Sequence, residues 1–228
     1  MRQPSTRETS AIIVAGGPSR RMGRCKALVE VAGRPLLARV LGAAAPLVEE
    51  IVLVLGASGT RPPAEEEALV ALARATAAEA PAGTPPVIVR VARDLVEAQG
   101  PLSGLVSGLA ATTASRALVL ASDAPALEPP LLRLVLNELD GQPQMDAVLP
   151  LRDGHLEPLV AAYRPARAMA PLRRALDGGE RALHRALATL AWHPLEESVW
   201  RAVDPGGLSF VNLNSPEDLA AFEGATRR

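Results

Sequence analysis

Short, mostly apolar runs alternate along the chain with longer stretches in which apolar positions recur every three or four residues. The runs AIIVA (11–15), IVLVLG (51–56), VIVRVA (87–92), RALVLA (116–121), MDAVLP (145–150) and EPLVAAYR (157–164) predict strands, and LSFVNL (208–213) a last one. The helical spacing predicts helices over 35–48, 64–80, 103–112, 128–140, 166–177, 180–190 and 215–224. Proline stands near the start of several of these, and acids gather at the front of 64–80, where the helix dipole favours them. Strands without a polar face, alternating with helices, predict an α/β chain: a mostly parallel, Rossmann-like central sheet with helices on both faces. Residues 1–9 read as a flexible N-terminal arm and 10–224 as one domain. The Pro/Gly breaks at 81–86 and 204–207 read as loops, and no internal repeat is visible.

Composition narrows the classes. Of 228 residues 48% are hydrophobic but only 2% aromatic, so the core must be aliphatic. A net charge of −1 gives no basic surplus for nucleic acid. The single cysteine, Cys25, excludes an intramolecular disulfide and a multi-cysteine zinc site, and suits a reducing compartment. The N-terminal MRQPSTRETS lacks the apolar core of a secretion signal. No apolar run reaches the ~20 residues of a spanning helix. A cytoplasmic protein without membrane or nucleic-acid partners is expected.

In such sheets ligands bind beyond the carboxyl ends of the strands. There the chain carries GGPSRRMGRCK, RDLVEAQGPLSG, SDAP and, near its end, NLNSPED. Gly16 and Gly17 let backbone N–H groups converge on an anion, and Arg20, Arg21 and Lys26 add positive charge, which describes a polyphosphate cradle. The alternative is a solvated basic turn. The cradle is not a P-loop, since Ala27 follows Lys26, and the stretch also lacks G-x-G-x-x-G. Asp123, just past an apolar run, suits one inner ligand of Mg²⁺ or the cap of a turn. Ser215, Pro216 and Asp218 form a helix-start signature. His155, His184 and His193 stand apart, with no metal-ligand spacing.

The stretch AGGPSRRMGRCKALVEVAGRPLL resembles the signature (A/G)GGxSxRMGxxK…GxPLL of nucleotidyltransferases that make nucleotide-activated cofactors and sugars. Within that group the chain is most similar to the molybdenum cofactor guanylyltransferases. The segments RDLVEAQGPLSGLVSGL, SDAPAL and FVNLNSPEDL match that family's further motifs, in order, over about residues 11–223. The resemblance implies transfer of GMP from GTP to the phosphate of molybdopterin, with release of pyrophosphate and Mg²⁺ as cofactor. It also implies passing contacts with molybdoenzymes or cofactor-delivery proteins. Carried over by position, the catalytic residues are Lys26, Arg21 and Asp123. The nucleotide-binding set is Val14, Ala15, Gly16, Gly17, Arg21, Gly23, Lys26, Asp94, Gly100, Pro101, Gly104 and Asp123. Asp123 and Asn214 would hold the metal, and Asn212, Asn214, Gly154 and Pro158 the acceptor. The alternatives are a cytidylyltransferase or related enzyme with another phosphate acceptor, and a non-catalytic nucleotide-binding regulator.

The chain departs from the family pattern at three places. Cys25 stands where aspartate usually precedes the lysine; it is either an activated thiol on an arginine-rich turn or a buried, inert one. Glu157 stands where histidine often precedes the proline, with His155 two residues earlier. LGASGT lacks an asparagine expected near the base. Guanine is nevertheless the expected base, from GPLSG (100–104) and Asp94 ahead of it.

Overall fold

The computed structural model describes residues 8–17, 25–79, 86–94 and 100–226. In chain order the elements are β1 (Thr9–Val14), β2 (Glu30–Val31), β3 (Arg34–Pro35), α1 (Leu36–Ala44), β4 (Glu50–Leu55), α2 (Pro63–Ala78), β5 (Ile88–Arg93), α3 (Pro101–Ala111) and β6 (Arg116–Ala121). There follow α4 (Pro129–Gly141), β7 (Ala147–Arg152), β8 (His155–Leu156), β9 (Val160–Tyr163), α5 (Pro165–Asp177), α6 (Leu183–Ala186), β10 (Trp192–Leu195), α7 (Glu197–Trp200) and α8 (Pro216–Thr226).

One sheet runs β5-β4-β1-β6-β9-β7-β10, with β8 paired to β7 and β2–β3 a separate small hairpin. β5, β4, β1 and β6 are parallel, β9 is antiparallel to both β6 and β7, and β10 is parallel to β7. The central strands are apolar throughout because both faces are covered. Ile13, Leu53 and Leu118 face α1, α2 and α4, whereas Ile12, Val54 and Val119 face α3, α5 and α6. Gly108 lets α3 lie close on β1: a Cβ there would stand 2.2 Å from Ile12 Cγ2.

From β1 the chain builds outward through β4 to β5, and α3 then carries it back to β6 on the other side of β1. In open α/β sheets such a reversal marks where ligands bind, at the carboxyl ends of these strands.

Three expectations need correction. Residues 208–213 form no strand: Leu208–Phe210 is a 3-10 turn entered through Gly207 at φ +62°. The buried Asp204 carboxylate accepts the N–H groups of Leu208 and Ser209, each at 3.0 Å, and curls the chain. The helix expected over 180–190 shrinks to α6 and a 3-10 turn, and β10 follows unannounced. β1 opens at Thr9, which is buried and pairs with Arg116, so the ladder begins within the stretch expected to be an arm.

Candidate active site

Three loops bring their polar residues to one point. Lys26 opens the short turn before β2, Asp123 follows β6, and Asn214 precedes α8. The Lys26 ammonium donates to Asp123 Oδ2 at 2.5 Å and to Asn214 Oδ1 at 2.9 Å. Both charged side chains are mostly buried, at 14% and 22% exposure, which strengthens their attraction over that of a surface pair.

Each member is held by its neighbours. Leu213 N donates to the Asp123 carbonyl at 3.1 Å, joining the last loop to the one after β6. Asp218 Oδ2 accepts from the N–H groups of Asn214 and Ser215 at 2.7 and 2.9 Å, and Ser215 Oγ accepts from Asp218 N. This reciprocal cap starts α8 and orients Asn214. The two backbone donors, chiefly that of Asn214, hold the Asp218 carboxyl below its usual range, with help from the Lys26 charge. On the other side Arg39 of α1 donates to the Pro125 carbonyl at 2.7 Å, bracing the loop of Asp123.

A second cluster lies where β1, β4 and β5 end. Ala15 N donates to the Val54 carbonyl, Asp94 N to the Leu55 carbonyl and Ser122 N to the Val14 carbonyl. Gly16 and Gly104 flank the Asp94 carboxylate: a Cβ on Gly16 would stand 2.8 Å from Asp94 Oδ2, and one on Gly104 3.5 Å from Oδ1 and 2.9 Å from Val14 Cγ1. Asp94 Oδ1 and the hydroxyl of Ser103 are buried without a hydrogen-bond partner. Burial pushes the Asp94 carboxyl up to about 6, and the nearby Ser103 hydroxyl, short of hydrogen-bond geometry, opposes the shift only in part.

The remaining expected residues divide. Gly100, at φ +76°, and Pro101 make the turn into α3. Gly154, with Asp153, forms the tight turn between β7 and β8, both at positive φ as such hairpins require. The Pro158 carbonyl accepts from Tyr163 at 2.9 Å. Asn212 is exposed. Arg152 Nη1 donates to the Phe210 carbonyl at 3.1 Å and so joins the β7–β8 hairpin to the turn preceding Asn212. Burial raises the Glu157 carboxyl, against the charges of Arg152 and His155. Arg21 and Gly23, with Arg20, lie outside the described residues. Cys25 is buried and its thiol is raised by that burial, with Arg61 opposing, which favours the inert alternative.

Arg61 itself was not anticipated. It sits between β4 and α2, where a cation is unfavourable beside a helix N-terminus unless its donors are used elsewhere. That mismatch, with Glu65 and Glu66 in the first turn of α2, is the one sequence signal that marks it. The same loop borders an open cavity of about 450 Å³, lined by Thr60, Arg61, Pro62, Glu66 and Arg93. Asp94 takes no part in that lining. Arg93 closes onto Glu66 through two hydrogen bonds, which lower the Glu66 carboxyl.

A sequence model described as the MobA-like NTP transferase domain matches residues 11–193. The chain belongs to this family. It is 35% identical, over 95% of its length and 96% of the relative's, to a protein of Chloroflexus aggregans named "Probable molybdenum cofactor guanylyltransferase". A protein of the same name from Natronomonas pharaonis is 32% identical over 93% and 95% of the two chains. Among solved structures, the molybdopterin-guanine dinucleotide biosynthesis protein A of Archaeoglobus fulgidus superposes with a TM-score of 0.72 at 26% identity, covering 96% of this chain and 98% of that one. The 2-C-methyl-D-erythritol 4-phosphate cytidylyltransferase of Thermus thermophilus shares the fold, with a TM-score of 0.60 at 16% identity over 95% and 98% of the chains. The family resemblance read from the motifs is thus borne out, as is the α/β fold. Among the described residues no helix is long and apolar enough to cross a membrane.

Proposed function

We propose that this MobA-like transferase moves GMP from GTP to the terminal phosphate of molybdopterin. An acceptor phosphate oxygen bonds to the α-phosphorus of GTP, the bond from that phosphorus to the β-bridging oxygen breaks, and pyrophosphate leaves with the electron pair. The observation that carries this reading is the meeting of Lys26, Asp123 and Asn214 at the carboxyl end of the sheet.

Such a transfer depends on positioning and charge neutralisation more than on covalent help from the protein. Lys26 offers a partly buried cation, held in place by two oxygens, to the charge that grows on the phosphates. The loop of Gly16 and Gly17 offers backbone donors to the triphosphate. Asp94, with an unpartnered buried oxygen, suits the N–H donors of a guanine or the hydroxyls of a ribose.

The donors also fit Mg²⁺. Asp123 and Asn214 present hard oxygens from separate loops to one cation, here the ammonium. Among the described residues no group of three or more His, Cys, Asp or Glu could hold a metal ion. A single carboxylate with a neutral oxygen matches the way Mg²⁺ is bound when nucleotide phosphates and water complete its shell. Bound there, Mg²⁺ would supply charge neutralisation on the triphosphate.

The test is label transfer. With GTP labelled at the α-phosphorus and purified molybdopterin, label is expected in a guanine dinucleotide, with one pyrophosphate per product. GTP consumption without labelled dinucleotide would reject the acceptor.

A further inference from the structure

Arg61 makes contacts on both sides of residues 18–24, the basic part of the first loop. Its Nη2 donates to the carbonyl of Ala15 at 3.0 Å and to that of Gly17 at 3.3 Å. Its Nη1 donates to the sulfur of Cys25, the residue before Lys26. The side chain is only 9% exposed, and Glu65 stands 3.9 Å away. One planar guanidinium from the β4–α2 loop therefore holds the chain both where it leaves β1 and where it reaches Lys26.

The guanidinium is suited to this. It has five donors in a rigid fork and stays charged, so it can hold several acceptors at fixed spacing, which a lysine ammonium cannot do. In a trans peptide unit the C=O and N–H point to opposite sides. Anchoring the Ala15 carbonyl on Arg61 therefore turns the Gly16 N–H away from the arginine. The side chain at position 25 faces this guanidinium, a partner suited to a carboxylate as well as to the sulfur that stands there.

We propose that Arg61 is the positioning residue of the first loop: it fixes Ala15, Gly17 and position 25 relative to one another, and so sets the Gly16 and Gly17 N–H groups for the triphosphate. The proposal rests on the nucleotidyl-transfer reading.

The experiment compares wild type, Arg61→Ala and Arg61→Lys for KM and kcat with GTP, and for the rate of Cys25 alkylation without nucleotide. The loop serves bound GTP and the transition state alike, so its loss raises KM more than it lowers kcat. Arg61→Ala should raise KM for GTP by about tenfold or more, the scale of charge-assisted hydrogen bonds, with kcat changed less. It should also speed alkylation of the Cys25 thiolate, as the sulfur loses its cover; the rates are compared as pH-independent thiolate rate constants, because loss of the Arg61 charge also raises the thiol. Arg61→Lys keeps the charge and most of the packing, and secures the result if the alanine variant fails to fold; intermediate values are expected from it. Asp at position 25, in Cys25→Asp, should leave KM at or below the wild-type value.

Unchanged KM in a folded Arg61→Ala protein would overturn the proposal, and so would a rise in alkylation with no rise in KM. If wild type itself neither binds nor turns over GTP, the reading of the function fails instead. Alkylation rates alone then decide the clamp, and equal rates in the three proteins would reject it.

Discussion

The Lys26 ammonium and the Asp123 carboxylate, 97 residues apart in sequence, meet at 2.5 Å at the carboxyl end of the sheet. The pair joins the turn before β2 to the loop after β6, and with both side chains mostly buried each charge offsets the cost of burying the other. A polyphosphate and its counter-ion would take the place of each partner.

Asp123→Asn keeps the shape and one oxygen at this point but removes the charge. Turnover should fall by about 10³-fold or more, the loss of several kcal/mol of charge stabilisation. The fold should survive, because the Asp123 backbone, not its carboxylate, accepts from Leu213. Steady-state kinetics at saturating Mg²⁺, with circular dichroism of the same sample, checks this; near-wild-type rates would exclude Asp123 from holding the metal.

Lys26→Ala should act on kcat more than on KM. The ammonium matters most as the phosphate oxygens gain charge, and loss of one such group lowers kcat by about 10²-fold. A change below about twofold in both constants would remove Lys26 from the reaction.

Asp94 should make GTP binding weaker in acid. Its carboxyl is raised by burial from 3.8 to about 6, so the folded chain holds a proton there that the unfolded chain has already lost. Its contribution to stability is therefore full below about 3.8 and is lost as pH rises through about 6. Above that pH the apo protein carries a buried carboxylate with an unpartnered oxygen, ready for a ligand's N–H. KM for GTP should fall as pH rises through about 6 in wild type and lose that inflection in Asp94→Asn. Asp94→Asn should also raise the melting temperature of the nucleotide-free protein at neutral pH. A pH profile of KM identical in both proteins would separate Asp94 from the nucleotide.

Much of this was legible in the sequence because the signals are local. β1, β4 and β6 are bare apolar runs, and the loops after β1, β5 and β6 carry Lys26, Asp94 and Asp123 close to recognisable motifs. What was missed depends on contacts distant in sequence. LSFVNL has the composition of a strand, but the Asp204 carboxylate and Gly207 curl its start, and Phe210 turns onto the Trp200 ring at 4.9 Å. β10 reads Trp-His-Pro-Leu, four residues that show neither alternation nor an unbroken apolar run. Arg61 has its partners 36 and 46 positions away, and a single arginine in a Gly/Pro turn gives no hint of them.

The most direct measurement is pyrophosphate release with molybdopterin as acceptor and each of the common nucleoside triphosphates in turn, read as kcat/KM. Guanine presents N1–H and N2–H₂ as donors and O6 as an acceptor, to be met by Asp94 and the backbone around Gly100 and Gly104. A site that pairs buried polar groups in this way discriminates strongly against a base that leaves them unpaired. GTP should exceed CTP and ATP by at least about 10²-fold. A preference for CTP would make the protein a cytidylyltransferase, and no release with any nucleotide would contradict nucleotidyl transfer to molybdopterin altogether.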